Sequence, residues 1–360
     1  MAQLTGLQIA LRNQISRQMN DTAKNASVFV GMLAALDNLF QVQSRFQRSD
    51  DVSGEKIQVD FRTGLPTVSG VKAVTGSADS LRMPVQIGST FEAGTMPWSH
   101  YQFREDIRTA YIQHLDTNPK SVVPYIKKVS DACKDAVMLK LSQDVLPDST
   151  LAPALTTGVT GDVLEDKILS LYYPLLVGRD GNDPTAVTPT TFKYLDFDFN
   201  TRTAFRAVNA GTSGAAFGNM TLSNLRKKIL MPMRNRGSKP DLIVTDSDIY
   251  DYCLSTAESK VVIEQMDRME FGGTWVKYGG LFWMTDPQED AKIAASGSNF
   301  HQAAVLQTSD WHFIFNGMLK DFSVIDNPET AALKTVLGYM SVALVCEAPR
   351  MQGHAFNVTP

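Results

Sequence analysis

The chain of 360 residues is short of cysteine, of net charge and of long apolar runs, and each shortage excludes a class of protein. Its three cysteines are far apart and form no C-x-x-C pair, so we expect a reduced, intracellular protein rather than a disulfide scaffold. A net charge of −4 lacks the basic excess of a dedicated nucleic-acid-binding domain. No apolar run approaches the ~20 residues of a membrane span, and the first residues lack the features of a signal peptide.

Motifs of catalysis and metal binding are also missing. There is no P-loop, no G-x-G-x-x-G and no H-E-x-x-H sequence. The five histidines are scattered without metal-ligand spacing, and residues 179–183 resemble a calcium loop that lacks its terminal glutamate. We therefore predict no catalytic, metal-binding or cofactor-binding residues. An enzyme built on Asp, Glu and Tyr side chains remains the alternative from a different class of function.

What the sequence does contain is a large apolar fraction, 43%, enough for two or more domains with their own cores. The clearest pattern lies in residues 221–286. Thr221 can cap a helix in which Leu222, Leu225 and Ile229 recur at helical spacing. This helix is predicted to stop or kink at Pro232, because proline lacks the backbone N–H and crowds the preceding turn.

The second half of this stretch predicts a buried strand, a short helix and a hairpin. Residues 242–245 are a short apolar run, typical of a strand buried on both faces. The cap candidates Asp246, Ser247 and Asp248 precede a helix with an inward stripe of Ile249, Tyr250, Cys253 and Leu254. Residues 274–278 and 281–284 flank Gly279 and Gly280, which supply the positive φ angles of a tight hairpin.

On the N-terminal side, residues 1–48 show two helical stripes. Residues 55–107 alternate in the manner of strands at Ile57 to Phe61, at Val85 and Ile87, and at Tyr101 and Phe103, and turn-forming residues such as Gly94 separate them. They predict a long hairpin, which must pack on something else because an isolated hairpin is marginal in water. Residues 118–146 predict the longest helix, ended by Pro147.

The remaining segments are predicted mostly as strands. Residues 149–219 are rich in Thr, Gly, Ala and Pro, and the alternation from Phe192 to Phe199 predicts a single strand within them. Further strands are expected at residues 303–306 and 311–315. The tail at residues 335–346 is rich in branched and aromatic residues, a composition that favours a long β-strand.

The order TLSNLRKKIL, KPDLIVTDSDIYDYC and GGTWVKYGGLFWMTDP resembles the axial domain of tailed-bacteriophage major capsid proteins of the Hong Kong 97 type. The resemblance implies an α+β fold with five parts. These are an N-terminal arm (1–48), an extended hairpin loop (49–107), a peripheral domain with a long spine helix (108–150), an axial domain (151–334, with an inserted or variable region at about 156–219) and a closing strand that returns to the peripheral domain (335–360).

The resemblance also implies a function. The chain is expected to self-assemble into pentamers and hexamers of an icosahedral shell around double-stranded DNA, in a virion assembled in the host cytoplasm. Portal and scaffolding proteins, with a decoration protein as an optional addition, are the implied partners, with non-specific contact to packaged DNA and no membrane. The alternative within the same fold is an encapsulin-like nanocompartment.

Two groups of residues are candidates for contacts. The expected inter-subunit contacts are the apolar and basic positions of the hairpin and arm, namely Phe61, Arg62, Leu65, Val68, Phe91, Trp98, Phe29, Leu33, Leu36 and Phe40. A basic surface group comprises Arg226, Lys227, Lys228, Arg234, Arg236 and Lys239; without interleaved aromatics it is better explained by a solvated helix face or inter-subunit salt bridges than by phosphate binding. Lys56, Lys72, Asn357 and Glu347 nominally supply a Lys–Asn isopeptide bond, but no spacing specifies its geometry, so we predict a non-covalent shell.

Overall fold

The computed structural model describes part of the chain, and all structural statements below refer to that part. The described residues are 56–62, 91–108, 132, 136, 139–141, 143–145, 168, 170–176, 193–194, 197–198, 205–211, 216–257, 275–278, 281–285, 290, 301–316, 323–326 and 333–359. The predicted arm at residues 1–48 and the predicted hairpin tip at residues 63–90 lie outside them.

Strands dominate the described residues. In chain order they are β1 (Lys56–Arg62), β2 (Phe91–Pro97), β3 (Ser99–Arg108), β4 (Lys193–Tyr194), β5 (Phe197–Asp198), β6 (Val208–Ala210), β7 (Gly218–Asn219), β8 (Leu242–Thr245), β9 (Trp275–Tyr278), β10 (Leu281–Thr285), β11 (His301–Leu306), β12 (Trp311–Asn316), β13 (Ser323–Asp326), β14 (Leu333–Cys346) and β15 (Gly353–Thr359).

Two larger sheets organise these strands. The seven-stranded sheet has the order β6-β15-β11-β8-β10-β9, with β7 also pairing with β15. It is mixed, because β8 pairs with β10 in parallel and with β11 antiparallel. The four-stranded sheet is built around β14, which pairs antiparallel with β3, β12 and β13. With its helices and mixed sheets, the chain has the α+β character that the sequence predicts.

The described residues contain fewer helices than strands. The helices are α1 (Tyr173–Leu176), α2 (Leu222–Leu225), α3 (Met231–Asn235) and α4 (Ser247–Ala257). The eight described residues between 132 and 145 are also helical, in agreement with the predicted long helix. None of the helices in the described residues is both long and apolar enough to cross a membrane.

The helix does not stop at Pro232, which is the first of the two outcomes predicted there. A π-helical segment, Arg226–Leu230, joins α2 to α3, and Pro232 lies inside the resulting composite helix, Leu222–Asn235. The wider π-helical turn leaves room for the proline ring, which would clash with the preceding turn of a regular α-helix. The helix ends at Asn235. Gly237, two residues later, has a φ of 86°, the left-handed conformation that often follows a helix C-terminus. The predicted cap is confirmed, since Thr221 Oγ1 accepts from Asn224 N at 3.2 Å.

The main core lies where the composite helix and α4 pack on the seven-stranded sheet. It is a single cluster of buried side chains that includes Leu225, Ile229, Met233, Ile243, Ile249, Tyr250, Trp283 and Val305. The composite helix lies very close to β15. A Cβ atom on Gly353 would be 2.5 Å from Ile229 Cγ2 and 2.6 Å from Met233 Sδ, so only glycine fits at this position.

The sequence patterns of this core are largely confirmed. All four residues of β8 are buried, as predicted for a strand covered on both faces. Ile249, Tyr250 and Cys253 form the buried stripe of α4, and β9 and β10 form the predicted antiparallel hairpin. Leu222 differs from the prediction, because it is 37% exposed at the first turn of its helix.

The hairpin region needs two corrections. Gly94, predicted to be a turn residue, lies within β2 and pairs with Val59 of β1. The strand β3 belongs to a different sheet, since it pairs along its whole length with β14. The two-stranded β1–β2 ladder therefore ends at Pro97, and residues 99–107 are not part of the hairpin to which the sequence assigned them.

Two further predictions of strands are also corrected. The alternation from Phe192 to Phe199 is not one strand, because Lys193 pairs with Asp198 and Tyr194 with Phe197 across a reversal of the chain. Residues 335–346 form the predicted long strand within β14, but the chain does not continue as one closing strand to residue 360. The strand β14 lies in the four-stranded sheet, and after a 3₁₀ turn, Pro349–Met351, the strand β15 joins the seven-stranded sheet.

Candidate subunit-contact site

The β1–β2 hairpin has one face anchored in its own chain. Ile57 and Val59 are 1% and 6% exposed, whereas Gln58 and Asp60 between them are exposed. Met96, the cross-strand partner of Ile57, is also buried. This period of two is the mark of a strand with one buried face, and it fixes the orientation of the hairpin at the end formed by Lys56 and Pro97.

The opposite end of the ladder presents an aromatic side chain to solvent. Phe91 pairs with Arg62 at the end of the ladder that leads to the hairpin tip, and it is 56% exposed. An exposed aromatic ring at the rim of an extended element is a candidate contact for another chain, because aromatic side chains are enriched in interfaces.

A cleft of about 340 Å³ separates the hairpin base from the four-stranded sheet. Gln58, Val59 and Asp60 line one side, and His312, Ile314, Val345 and Glu347 line the other. His312 Nε2 lies 3.0 Å from Glu347 Oε1 at its wall. Apolar and ionisable side chains both line the cleft, so it suits an amphipathic segment better than a purely apolar one.

The predicted contact residues divide into three groups. Phe61, Arg62 and Phe91 lie on the paired strands of the hairpin, as expected. Trp98 differs from the expectation: it is 3% exposed, so its own chain already covers the indole and it acts as a core residue. Leu65 and Val68 of the hairpin tip, and Phe29, Leu33, Leu36 and Phe40 of the arm, lie outside the described residues.

The predicted basic group is not one uniform surface. Arg226, Lys227, Arg234 and Lys239 are exposed around the composite helix. Lys228 is exposed as well, but its Nζ makes contacts within the chain: it donates to Phe217 O at 2.5 Å and lies 4.8 Å from the centre of the Phe217 ring.

Arg236 has a structural role within the chain. Its Nη1 donates to Arg206 O at 2.7 Å and to Arg350 O at 3.3 Å. Partial burial lowers the pKa of this guanidinium. Two of the six basic residues, Lys228 and Arg236, therefore hold neighbouring backbone segments in place.

A buried network joins the two larger sheets. Gln352, which is fully buried, accepts from Gln307 N at 2.8 Å and from Trp311 Nε1 at 3.2 Å. Its amide donates to Asp310 Oδ2 and Ala348 O, both at 3.3 Å. The β11–β12 and β14–β15 connections, which both pass from one sheet to the other, are thereby held together.

A second buried polar cluster lies at the start of α4. Asp246, 1% exposed, accepts from Ile249 N at 3.0 Å and caps the helix as predicted. Its Oδ1 also lies 3.1 Å from Nδ1 of the buried His301. Burial raises the pKa of Asp246, although the Ile249 N–H and His301 act to lower it. Asp290 stands on the other side, where its Oδ1 accepts from Ser247 N at 2.8 Å.

Sequence reasoning missed this pairing of Asp246 with His301. The two residues are 55 positions apart, and His301 belongs to no motif. The available signal was the prediction of two strands, residues 242–245 and 303–306, which lie side by side in the sheet and bring both side chains to the same end.

The cysteines behave as structural residues. Cys253 and Cys346 are free and buried. Burial raises the pKa of the Cys253 thiol to about 12 and that of Cys346 well above its usual value. Neither thiol is therefore activated as a nucleophile. Cys133 lies outside the described residues.

No protein-family model matches the chain, and no curated protein sequence matches it. Solved structures do. A chain of the cyanophage A-1(L) capsid asymmetric unit matches with a TM-score of 0.60 at 14% identity, over 88% of this chain and 90% of that chain. An encapsulin complex from Synechococcus elongatus has a TM-score of 0.48 at 10% identity, covering 87% of this chain and 85% of that chain. A structure of Mycobacterium phage Adephagia has a TM-score of 0.45 at 12% identity, covering 89% of this chain and 91% of that chain. The resemblance inferred from the sequence is confirmed for the fold: the chain shares the fold of a chain of the cyanophage A-1(L) capsid.

Proposed function

We propose that the chain is a major capsid protein that assembles into pentamers and hexamers of an icosahedral shell enclosing the double-stranded DNA of a tailed phage. The observation that carries the proposal is the likeness to the cyanophage A-1(L) capsid chain, which spans 88% of this chain and 90% of that one. A match over nearly the whole of both chains supports a common architecture throughout, not only a shared core.

The geometry of the hairpin supports a role in subunit overlap. Its base is anchored by Ile57, Val59 and Met96, and its distal end carries the exposed Phe91. An element with a fixed base and an exposed end suits contact with a neighbouring copy. Many such contacts, each weak, stabilise a closed shell through multivalency.

The remaining parts of the proposal follow the layout inferred from the sequence. Residues 1–48 would lie on a neighbouring copy as an arm, and residues 151–334 would close rings around the symmetry axes as the axial domain. Residues 108–150 would form the peripheral domain, to which β14 returns. We assign β15 to the axial part, because it pairs with β11. Scaffolding, portal and decoration proteins, together with packaged DNA, are the proposed partners in the virion.

The test is assembly of the purified chain, alone and with a scaffolding protein, followed by size-exclusion chromatography and negative-stain microscopy. We expect rings or megadalton shells. A stable monomer under all ionic conditions, even with scaffold, would contradict the proposal. The absorbance spectrum of contents released from native particles distinguishes DNA from the protein cargo of a nanocompartment.

We further propose that the shell is non-covalent. A Lys–Asn isopeptide bond between neighbouring copies needs a desolvated carboxylate as its base, whereas the side chain of Glu347 is 41% exposed beside His312. Boiled mature particles should give a single band near the chain mass of 39.6 kDa on a denaturing gel. A ladder of multiples that survives reductant would show covalent linkage instead.

A further inference from the structure

Three side chains with metal-binding chemistry converge between α4 and β11. Asp246, Asp248 and His301 each place one ligand atom within 4.8 Å of the other two. The carboxylates come from the start of α4 and the imidazole from the first residue of β11, so the sheet itself brings the three together.

The second observation is an unsatisfied buried oxygen. Asp246 is 1% exposed, and within the described part of the chain its Oδ2 has no hydrogen-bond partner. A buried carboxylate oxygen without a partner has lost its contacts with water and gained nothing in their place, which destabilises the folded state. Ile249 N–H and His301 both contact the other oxygen, Oδ1, so neither relieves this cost.

The electrostatics of the cluster favour a cation. Asp246, Asp248 and Asp290 supply three carboxylates, and among the described residues no lysine or arginine forms a salt bridge with any of them. The N-terminus of α4 opposes a cation with only about half of a positive charge. Three carboxylates outweigh that dipole.

We propose that Asp246, Asp248 and His301 bind one divalent metal ion, with Asp290 as the residue that orients the start of α4. His301 Nδ1 and Asp246 Oδ1 are 3.1 Å apart. Neighbouring ligand atoms are about 3.0 Å apart around an octahedral ion with bonds of ~2.1 Å and about 3.4 Å apart around a tetrahedral one, so this pair needs little movement. Asp248 is exposed, and its side chain can turn to complete the set. One imidazole with two carboxylates suits Mn²⁺ or Zn²⁺ better than Ca²⁺, which prefers oxygen ligands throughout.

The experiment is a Mn²⁺ titration of the EDTA-treated, full-length chain, in which electron paramagnetic resonance counts unbound Mn²⁺. Mn²⁺ is chosen because it binds carboxylates and imidazole but has little affinity for the buried thiol of Cys253. We expect one ion per chain. The exposed Asp248 is not needed for packing, so Asp248→Asn should fold normally and weaken binding by about tenfold or more.

His301→Gln should abolish the site, whereas the matched control Asp251→Asn, at another exposed aspartate of the same helix, should bind as the unaltered chain does. Thermal unfolding with and without Mn²⁺ gives a second readout, since an ion that binds only the folded state must raise the Tm. Equal binding by the Asp248→Asn variant, or no bound Mn²⁺ at millimolar concentration, would overturn the proposal. Because the titration is done on unassembled chains, its outcome is independent of whether shells form.

Discussion

The seven-stranded sheet and the β1–β2 hairpin differ in where their apolar side chains find partners. In the sheet, Ile243, Trp283 and Val305 are all at most 2% exposed, covered by helices of the same chain. In the hairpin, Ile57 is buried at the base while Phe91 is 56% exposed at the other end. The sheet is thus completed within one chain, whereas the hairpin has surface left for another. Mutations in the first region should lower stability, and mutations in the second should lower assembly.

The largest effect should come from removing the hairpin tip. Replacing residues 63–90 by a short Gly-Ser linker leaves the buried base of β1 and β2 in place, so we expect a folded subunit that no longer assembles. Negative-stain microscopy and thermal unfolding test the two halves of this prediction separately. Normal particles from the deletion variant would refute the proposed overlap, and loss of folding would show that the tip belongs to the subunit core.

Truncation of the core should have the reverse outcome. Trp283→Ala removes the largest buried side chain of β10 and should lower the free energy of unfolding by ~3–5 kcal/mol. Denaturant unfolding of the subunit measures this, and Trp283→Phe is the control that retains most of the packing. A loss below about 1 kcal/mol would mean that the sheet core is less dependent on its own chain than the comparison requires.

Adding volume at the sheet should have an intermediate effect. Gly353→Ala places a Cβ 2.5 Å from Ile229 Cγ2, which should lower the free energy of unfolding by ~1–3 kcal/mol through overpacking. Combining it with Ile229→Ala removes the closest clash, so the double variant should lose less than the sum of the two single losses. Strict additivity would show that the composite helix does not press on β15.

The smallest effect on stability is expected at Phe91. Phe91→Ala should change the free energy of unfolding by no more than about 0.5 kcal/mol, because the ring is mostly exposed. The same variant should need a higher protein concentration to form particles, measured by light scattering. Phe91→Leu, which keeps an apolar side chain, should assemble closer to normal. Unimpaired assembly of the alanine variant would remove Phe91 from the interface.

Local patterns in the sequence predicted the elements whose surroundings are uniform. Residues 242–245 are apolar on both faces because helices and sheet cover both, and the alternation of Ile57 and Val59 reflects a single buried face. The turn predicted at Gly94 does not form, because Gly94 pairs with Val59 in a strand ladder. The helix does not end at Pro232, because a π-helical turn precedes the proline. Whether a glycine ends a strand depends on what lies opposite it, which one local pattern does not contain.

The sequence patterns predicted none of the long-range polar contacts described above. Gln352 stands between two strands in a stretch without any motif, yet it makes four hydrogen bonds to residues between 307 and 348. The acid–histidine contact of Asp246 and His301 depends on which strands become neighbours in the sheet. Both are consequences of topology, and neither follows from spacing along the chain.

The paired connections between the two larger sheets have a mechanical consequence. A single covalent link would let the sheets swivel in every direction. Two connections joined by the Glu347 N to Asp310 O hydrogen bond of 2.8 Å restrict how the two sheets move relative to each other. Twisting or sliding of one sheet against the other would break buried hydrogen bonds around Gln352. In the proposed shell, the two sheets of each subunit would therefore resist moving independently of each other.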